Sequence, residues 1–265
     1  MNKPIGIIDS GVGGLTIWQE IARQLPHESI IYVADSKHCP YGEKTPAQIY
    51  ALAKKLVTFL VAKDVKLIVI ACNTITVTCL DKLRKDFPQI PMIGTVPVVK
   101  TAVERSSSRK IGILSTRATA NSEYQKNLIQ KFASGFTVVN IGTDKLVPLV
   151  ESGAIRGPHA HRVLTEVLDP FQNGAVDVLA LGCTHFPFLR AEMQEILGKN
   201  VQILDSRGAI ARQVERILER NDSLTVQGEG THTIYTTGEK FVLAELMHRM
   251  DMHHKTIQIE EHTIV

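Results

Sequence analysis

The sequence predicts an α/β protein made of two similar domains with mainly parallel sheets. Short β-branched runs alternate with longer segments of helical periodicity, which is typical of strands joined by helices. The strand pattern of the first part of the chain also returns, in the same order, in the second part. This repeat indicates two related halves, and we expect a pseudo-twofold relation between them.

The predicted elements cover almost the whole chain. Pro46 and Pro187 are placed in the first turn of their helices, where a missing N–H costs nothing. The predicted strands are Ile5–Ile8, Ile30–Ala34, Leu67–Ala71, Met92–Thr95, Ile111–Leu114, Thr137–Ile141, Val178–Leu181, Val201–Leu204 and Thr231–Thr236. The predicted helices are Leu15–Gln24, Pro46–Lys63, Thr76–Asp86, Val98–Arg105, Thr119–Phe132, Lys145–Glu151, His159–Phe171, Pro187–Leu197, Arg207–Glu219 and Glu239–Arg249.

The repeat consists of strand pairs at a nearly constant offset. One pair would carry little weight, because any two βαβ segments look alike, but several in order with a cysteine at the same point carry much more. We therefore expect a first domain of residues 1–96 and 207–265 and a second domain of residues 97–206. The pairs are Ile5–Ile8 with Ile111–Leu114, Ile31–Ala34 with Val138–Ile141, Ile68–Ala71 with Val178–Leu181, and Met92–Thr95 with Val201–Leu204.

Composition and charge exclude several classes of protein. The chain has 265 residues, 44% of them hydrophobic, and its formal net charge of +3 comes from scattered Lys and Arg, which does not favour nucleic acid. No apolar run approaches the length of a membrane span, and Asp9 interrupts the first apolar stretch before it could serve as an export signal. We expect a cytoplasmic protein with reduced thiols and no membrane partner. His253 and His254 in the tail are expected to be surface residues rather than ligands.

The four cysteines fall into two groups. Their spacings match no zinc or C-x-x-C pattern, so no metal site is expected. Cys39 and Cys79 fit the role of small buried apolar residues. Cys72 and Cys183 each follow an apolar strand and precede small polar residues and a helix. Both are therefore expected at the carboxyl end of a parallel strand and beside a helix N-terminus, which favours a thiolate.

Two matched thiols suit a reaction with two faces. If the halves face one another, both sulfurs point into one cleft, and the active site would lie in that cleft between the domains. Inversion at a Cα–H carbon needs one base to remove the proton and one acid to return a proton on the other face. The sequence thus predicts an acid/base pair made of Cys72 and Cys183.

Polar residues follow the same strands. Asp9-Ser10 ends the first strand, Asp35 follows the second, and Asn73-Thr74 and Thr184-His185 follow the two cysteines. Their N–H groups and hydroxyls can hold carboxylates, and Asp9 or His185 could exchange protons with the thiols. The alternatives are that Asp9 and Ser10 cap the next helix and that His185 is a satisfied polar residue. The glycines at 11, 13 and 14 lack the dinucleotide spacing, since Thr16 stands where glycine is needed.

At this point the motifs resemble those of the glutamate racemase family. The resemblance covers nearly the whole chain and ends with Thr236-Thr237-Gly238. Ordered agreement of this extent is very improbable by chance. The motifs are Asp9-Ser10-Gly11-Val12-Gly13-Gly14-Leu15-Thr16, Cys39-Pro40-Tyr41-Gly42, Ala71-Cys72-Asn73-Thr74, Val147-Pro148-Leu149-Val150-Glu151 and Leu181-Gly182-Cys183-Thr184-His185-Phe186-Pro187.

The resemblance implies an isomerase that interconverts L- and D-glutamate without pyridoxal phosphate, metal or nucleotide, and that supplies D-glutamate for peptidoglycan. It implies that Cys72 takes the α-proton of D-glutamate and Cys183 that of L-glutamate. Asp9 and His185 would assist the respective thiols, with Asp35 and Glu151 as weaker helpers. A homodimer is compatible with the family. The residues implied to hold the substrate are Asp9, Ser10, Tyr41, Gly42, Asn73, Thr74, Thr184 and His185.

Some questions stay open at this level. Val96-Pro97 and Asn140–Thr143 depart from the pattern of many relatives, which leaves regulation and dimer geometry undecided. Aspartate racemase is the close alternative, since the length of the substrate side chain is not readable from the motifs. From other classes, an amino-acid-binding module with inert thiols and a cysteine hydrolase using one thiol with His185 are the alternatives.

Overall fold

A computed structural model describes residues 3–252 and 257–264, so His253 and His254 lie outside the described residues. The strands are β1 (Ile5–Asp9), β2 (Ile30–Ala34), β3 (Leu67–Ile70), β4 (Met92–Gly94), β5 (Lys110–Ser115), β6 (Thr137–Gly142), β7 (Val178–Gly182), β8 (Gln202–Leu204), β9 (His232–Thr236) and β10 (Ile257–Glu261). The helices are α1 (Leu15–Gln24), α2 (Pro46–Ala62), α3 (Asn73–Asp86), α4 (Val99–Arg105), α5 (Arg117–Asn121), α6 (Glu123–Phe132), α7 (Leu146–Glu151), α8 (Pro158–Leu168), α9 (Arg190–Leu197), α10 (Arg207–Arg220) and α11 (Lys240–Arg249). The 3₁₀ helices are Ser36–His38, Tyr41–Glu43, Asp169–Phe171 and Phe186–Leu189.

The chain forms two compact units, and the α/β class with mainly parallel sheets is confirmed. The first unit contains the residues up to Thr95 and those from Arg207 onward, and the second runs from Val96 to Ser206. The first unit has a six-stranded sheet in the order β10-β9-β2-β1-β3-β4, and the second has a four-stranded sheet in the order β6-β5-β7-β8. Every strand pair is parallel.

The repeat seen in the sequence is present in the strand order. Strands β2-β1-β3-β4 of the first sheet occur in the same sequence of neighbours as β6-β5-β7-β8 of the second. In the first unit β1 pairs with β2 and β3, and in the second β5 pairs with β6 and β7. Strands β9 and β10 extend only the first sheet. Each half therefore carries a cysteine within two residues of the end of its third strand, Cys72 after β3 and Cys183 after β7.

Local sequence explains why these elements form. The central strands β1, β3 and β7 are buried along their whole length, as expected for parallel strands covered on both faces. Helix α2 begins with a capping box in which the Thr45 side chain and the Gln48 side chain each accept a backbone N–H, and Pro46 occupies the first turn. In the described part of the chain, none of the helices has the length and apolar character needed to cross a bilayer.

The structure differs from the predicted elements at several helix ends. The single helix predicted over Thr119–Phe132 is two helices, because Ser122 adopts an extended conformation and caps α6 by accepting the Gln125 N–H. Helix α3 starts at Asn73 rather than at Thr76. The helix predicted from Pro187 begins as the 3₁₀ helix Phe186–Leu189, and α9 starts only at Arg190. Strand β10 was not predicted.

Candidate active site

The first unit gathers most of the predicted site residues at one edge of its sheet. Strands β1, β2 and β3 are parallel neighbours, so the residues that follow them meet at their carboxyl ends. All of the polar residues placed there are buried although they carry charge or hydrogen-bonding groups, which requires specific partners. The buried set is Asp9, Ser10, Asp35, Cys72, Asn73 and Thr74, with Tyr41 beside it.

Cys72 lies at the junction of β3 and α3. It is the N-cap residue of the fourteen-residue helix α3, and its carbonyl accepts the Thr76 N–H at 3.0 Å. The N-terminal end of a helix stabilises negative charge, and Cys72 stands at this end of α3. The Ser10 Oγ lies 3.5 Å from the Cys72 Sγ. Cys72 is 5% exposed, so the residue is largely shielded from bulk water.

The glycine-rich turn after β1 packs tightly against Asp9 and Ala71. The Asp9 Oδ1 accepts the Gly11 N–H at 3.0 Å, and the Tyr32 hydroxyl donates to the Gly11 carbonyl at 2.6 Å. A Cβ on Gly14 would lie 2.8 Å from the Asp9 Cβ and 2.9 Å from the Ala71 Cβ, so only glycine fits there. The N-cap residue of α1 is Gly14. The alternative in which Asp9 or Ser10 caps this helix is therefore wrong.

The Asp35 carboxylate contacts Tyr41, Thr237 and His38. Its Oδ2 accepts the Tyr41 hydroxyl at 2.5 Å, and its Oδ1 accepts the Thr237 hydroxyl at 2.7 Å and lies 2.8 Å from the His38 Nδ1. Burial raises the pKa of the Tyr41 hydroxyl well above its ordinary value, and the nearby Asp35 carboxylate raises it further. Tyr41 therefore stays protonated and donates to Asp35, and Gly42 follows it in the 3₁₀ helix Tyr41–Glu43.

Asn73 and Thr74 form the first turn of α3. Both are buried, and the Asn73 Nδ2 donates to the Thr95 carbonyl at 3.2 Å, which ties the start of α3 to the end of β4. A helix N-terminus with buried polar side chains is a suitable place for a carboxylate group. This turn can therefore hold an acidic part of a ligand next to the Cys72 sulfur.

The second unit presents a different arrangement around its cysteine. Cys183 follows β7, and the Thr184-His185 turn leads into the 3₁₀ helix Phe186–Leu189. The Cys183 Sγ lies 3.8 Å from the His185 Nδ1, and the His185 Nε2 lies 2.6 Å from the Glu151 Oε1. Glu151 is the last residue of α7. With the Nε2 proton donated to Glu151, the Nδ1 lone pair faces the Cys183 thiol, so the imidazole can accept its proton.

The two halves are thus alike in backbone and different in chemistry. By the repeat, Ser115 in the second unit corresponds to Asp9 in the first, and both are buried at the end of the first strand of their sheet. The carboxylate next to the first cysteine's strand is therefore replaced by a hydroxyl in the second unit. Cys183 instead has the imidazole of His185, two residues later in the same turn.

Some residues of the site were not singled out from the sequence. Tyr32, His38 and Thr237 contact Gly11 or Asp35 through side chains that carry no catalytic pattern of their own. Thr237 lies in the Thr236-Thr237-Gly238 motif, which was noted without a role. Its contact with Asp35 joins residues 202 positions apart, and periodicity cannot reveal a contact of that range.

The chain is similar in sequence and in structure to known racemases. The profile of the Asp/Glu/Hydantoin racemase family matches residues 5–214. A curated glutamate racemase from Roseiflexus sp. (strain RS-1) is 36% identical over 252 residues, covering 94% of this chain and 93% of the relative. The structure of glutamate racemase from Francisella tularensis in complex with D-glutamate has a TM-score of 0.84 at 29% identity, covering 98% of this chain and 97% of that chain. The structure of the Escherichia coli glutamate racemase in complex with L-glutamate and the activator UDP-MurNAc-ala has a TM-score of 0.85 at 29% identity, covering 98% of each chain.

The fold and the paired cysteines therefore define an amino-acid racemase of the Asp/Glu/Hydantoin racemase family. Within it, the chain belongs to the glutamate racemases, which are isomerases. The family resemblance read from the motifs is confirmed.

Proposed function

We propose that the protein interconverts L-glutamate and D-glutamate by moving the α-proton with two thiols, Cys72 and Cys183. The observation that carries this proposal is the placement of a buried cysteine within two residues of the end of the third strand of each repeat, in a chain that belongs to the glutamate racemases. Two equivalent thiols are what an inversion requires, since one must take a proton from one face of the α-carbon and the other must supply one to the opposite face.

In the proposed reaction, each conversion of one enantiomer exchanges the protonation states of the two thiols. For L-glutamate, the Cys183 thiolate removes the α-proton and becomes a thiol, and the carbon takes a proton from the Cys72 thiol, which becomes a thiolate. The product is D-glutamate, and the reverse reaction begins from this protonation state. His185, oriented by Glu151, would take the proton of the Cys183 thiol to generate its thiolate. Asp9 would take the proton of the Cys72 thiol in the same way, and the Ser10 hydroxyl lies 3.5 Å from the Cys72 Sγ.

Substrate binding is proposed for the polar residues at the strand ends. The first turn of α3, with Asn73 and Thr74, and the Thr184 hydroxyl would hold carboxylate groups, and Ser10, Tyr41 and Gly42 would complete the site. Bound D-glutamate in the Francisella tularensis relative and bound L-glutamate in the Escherichia coli relative support glutamate over aspartate as the substrate. The product D-glutamate would serve peptidoglycan synthesis.

The first test is circular dichroism of the purified protein with L-glutamate and, separately, with L-aspartate, without added cofactor. Loss of the L-glutamate signal to zero is expected, because the enantiomers have equal free energies and equilibrate at equal amounts. Cys72→Ala and Cys183→Ala should each abolish racemisation in both directions. Cys79→Ala is the matched control, since Cys79 lies inside α3 and should leave activity unchanged.

Solvent isotope incorporation tests the two-thiol step directly. In deuterium oxide, D-glutamate formed from L-glutamate should carry α-deuterium, while the L-glutamate that remains early in the reaction should keep its protium. A single base serving both faces would return part of the original protium to the product. Near-native activity of either cysteine variant would reject the proposal.

A cysteine hydrolase is the second candidate, because Cys183, His185 and Glu151 form a nucleophile–base–orienting sequence of contacts. That function predicts a covalent thioester on Cys183 that mass spectrometry of a quenched reaction would detect. It also predicts that Cys72→Ala retains full activity. The racemase proposal predicts the opposite result for both measurements.

A further inference from the structure

The Thr236-Thr237-Gly238 motif lies where the last part of the chain returns to the first sheet. Strand β9 is hydrogen-bonded beside β2, with Thr236 opposite Ala34 in the register. The Thr237 N–H continues this pairing by donating to the Ala34 carbonyl at 3.0 Å. The motif therefore stands at the same sheet edge as Asp35, directly after the ends of two neighbouring strands.

Thr237 of this motif forms hydrogen bonds to the turn that follows β2. The Thr237 Oγ1 donates to the Asp35 Oδ1 at 2.7 Å and accepts the Lys37 N–H at 3.1 Å. A Cβ on Gly238 would lie 3.1 Å from the Ser36 Cβ, so a larger residue would press on the same turn. One hydroxyl thus fixes both the side chain that follows β2 and the backbone two residues later.

Asp35 passes this constraint on to Tyr41. Its second oxygen accepts the Tyr41 hydroxyl at 2.5 Å, so the Thr237 hydroxyl, the Asp35 carboxylate and the Tyr41 hydroxyl form one continuous hydrogen-bonded chain. Hydrogen bonds to a carboxylate are stronger than those between neutral groups, and burial of Asp35 and Tyr41 removes competing water. The orientation of the Tyr41-Gly42 turn therefore depends on a residue from the far end of the chain.

We propose that Thr237 is a positioning residue for substrate binding, which acts by fixing Asp35 and, through it, the Tyr41-Gly42 turn. This inference rests on the proposed function, because that function assigns Tyr41 and Gly42 to glutamate binding. Asp35 accordingly acts on Tyr41 rather than as a direct helper of a thiol. The turn binds the ground state and the transition state alike, so its loosening raises KM more than it lowers kcat.

The decisive variant is Thr237→Val, which keeps the branched shape and removes the hydroxyl. The KM for L-glutamate and for D-glutamate should rise about tenfold, the effect of losing a hydrogen bond to a charged group, while kcat changes by less than about twofold. Thr237→Ser keeps the hydroxyl and should restore KM to near the wild-type value. Thr233→Val, a matched substitution within β9 and away from the site edge, should leave both constants unchanged.

Two further measurements separate positioning from general destabilisation. Hydrogen exchange followed by mass spectrometry should become faster in residues 36–43 of ligand-free Thr237→Val, while the midpoint of thermal unfolding stays that of Thr233→Val. Tyr41→Phe should raise KM by a similar factor, and adding Thr237→Val to it should raise KM little further, since both changes break one chain of contacts.

The outcomes are distinct from those that test the reaction. Wild-type protein without racemase activity would reject the proposed function, and the exchange measurement would then still report whether Thr237 orders residues 36–43. Active wild-type protein with an unchanged KM in Thr237→Val would overturn the inference. Additive effects of Thr237→Val and Tyr41→Phe on KM, or failure of Thr237→Ser to restore KM, would also overturn it.

Discussion

At the scale of single residues, the two cysteines have different partners. The Cys183 Sγ lies 3.8 Å from an imidazole that is held by Glu151, whereas the Cys72 Sγ lies 3.5 Å from the Ser10 hydroxyl at the start of a helix. Racemisation has an equilibrium constant of one, because enantiomers have equal free energies, so kcat/KM must be equal in both directions for every variant. Different partners can therefore change which proton transfer is slow but cannot favour one enantiomer at equilibrium.

Glu151→Gln tests the role of the carboxylate behind His185. Losing the charge should lower kcat about 100-fold, the lower end of what a positioned acid/base group contributes. Proton transfer at Cys183 then becomes the slow step, so the α-deuterium isotope effect should grow for L-glutamate and shrink for D-glutamate. Steady-state rates with protiated and deuterated substrates measure this.

Glu166→Gln is the control for that substitution, because Glu166 is an exposed carboxylate of the same unit that pairs with Lys145. Its rates should match the wild type. Isotope effects that change equally for both enantiomers in Glu151→Gln would contradict the assignment of His185 and Glu151 to Cys183.

At the scale of elements, periodicity predicted the central strands and most helices but not their junctions. Strands such as β3 and β7 are continuous apolar runs, and α2 has a capping box and a proline at its start, so local signals were enough. The break at Ser122 was missed because the helical pattern continues across it. Strand β10 was missed because its sequence is mostly polar on an exposed edge.

The candidate site could be read from the sequence only in part. The cysteines and their polar neighbours follow recognisable strands, so the sheet edge was predictable. The contacts of Asp35 with Tyr41, His38 and Thr237 depend on how a loop and a distant strand pack, which local patterns do not encode. The sequence also predicted an α-helix from Pro187, whereas a 3₁₀ helix follows Cys183 and an α-helix follows Cys72. This difference between the two cysteine turns was therefore not predicted.

Helix α3 carries a thiol that can be used to test burial. Burial raises the pKa of Cys79 from 9.0 to about 12, and its Sγ donates to the Ile75 carbonyl. The unfolded chain therefore loses this proton at lower pH than the folded protein, so the thiol's contribution to stability is full below pH 9 and is lost as the pH rises towards 12. Cys79→Ala should therefore lower the free energy of unfolding near neutral pH. Above pH 9, this difference between the wild type and the variant should shrink by at most about 1.4 kcal/mol per pH unit.

Urea unfolding of the wild type and Cys79→Ala at neutral pH and at pH values above 9 measures this difference. Both proteins share every other titrating group, so subtracting one from the other isolates the thiol. A difference in unfolding free energy that is independent of pH would contradict the assigned burial effect.

At the scale of the whole molecule, the second unit is continuous in sequence and the first is not. Residues 96–206 carry a complete four-stranded sheet with its own apolar cluster around Ile111, Ile113 and Val178. The first unit needs α10, which packs on α1, and β9, which pairs with β2, and both come from the end of the chain.

Fragments of the chain should therefore behave differently. The fragment of residues 96–206 should fold on its own and unfold cooperatively in urea, because it keeps all strands of its sheet. The fragment of residues 1–95 should lack cooperative unfolding, because β2 loses its neighbour β9 and the apolar face of α1 loses α10. Far-UV circular dichroism during urea titration distinguishes the two results, and a cooperative transition in the 1–95 fragment would contradict this view of the fold.

The contact between Asp35 and Thr237 has a consequence for biosynthesis. A ribosome makes the chain from its N-terminus, so β1, β2 and β3 emerge first, but the residue that fixes Asp35 is among the last to be translated. All residues of the continuous second unit are synthesised before β9, the strand that pairs with β2 in the first unit. The turn that carries Tyr41 is thus synthesised early, and a chain arrested before β9 would lack the Thr237 contact to Asp35 that precedes it in the hydrogen-bonded chain.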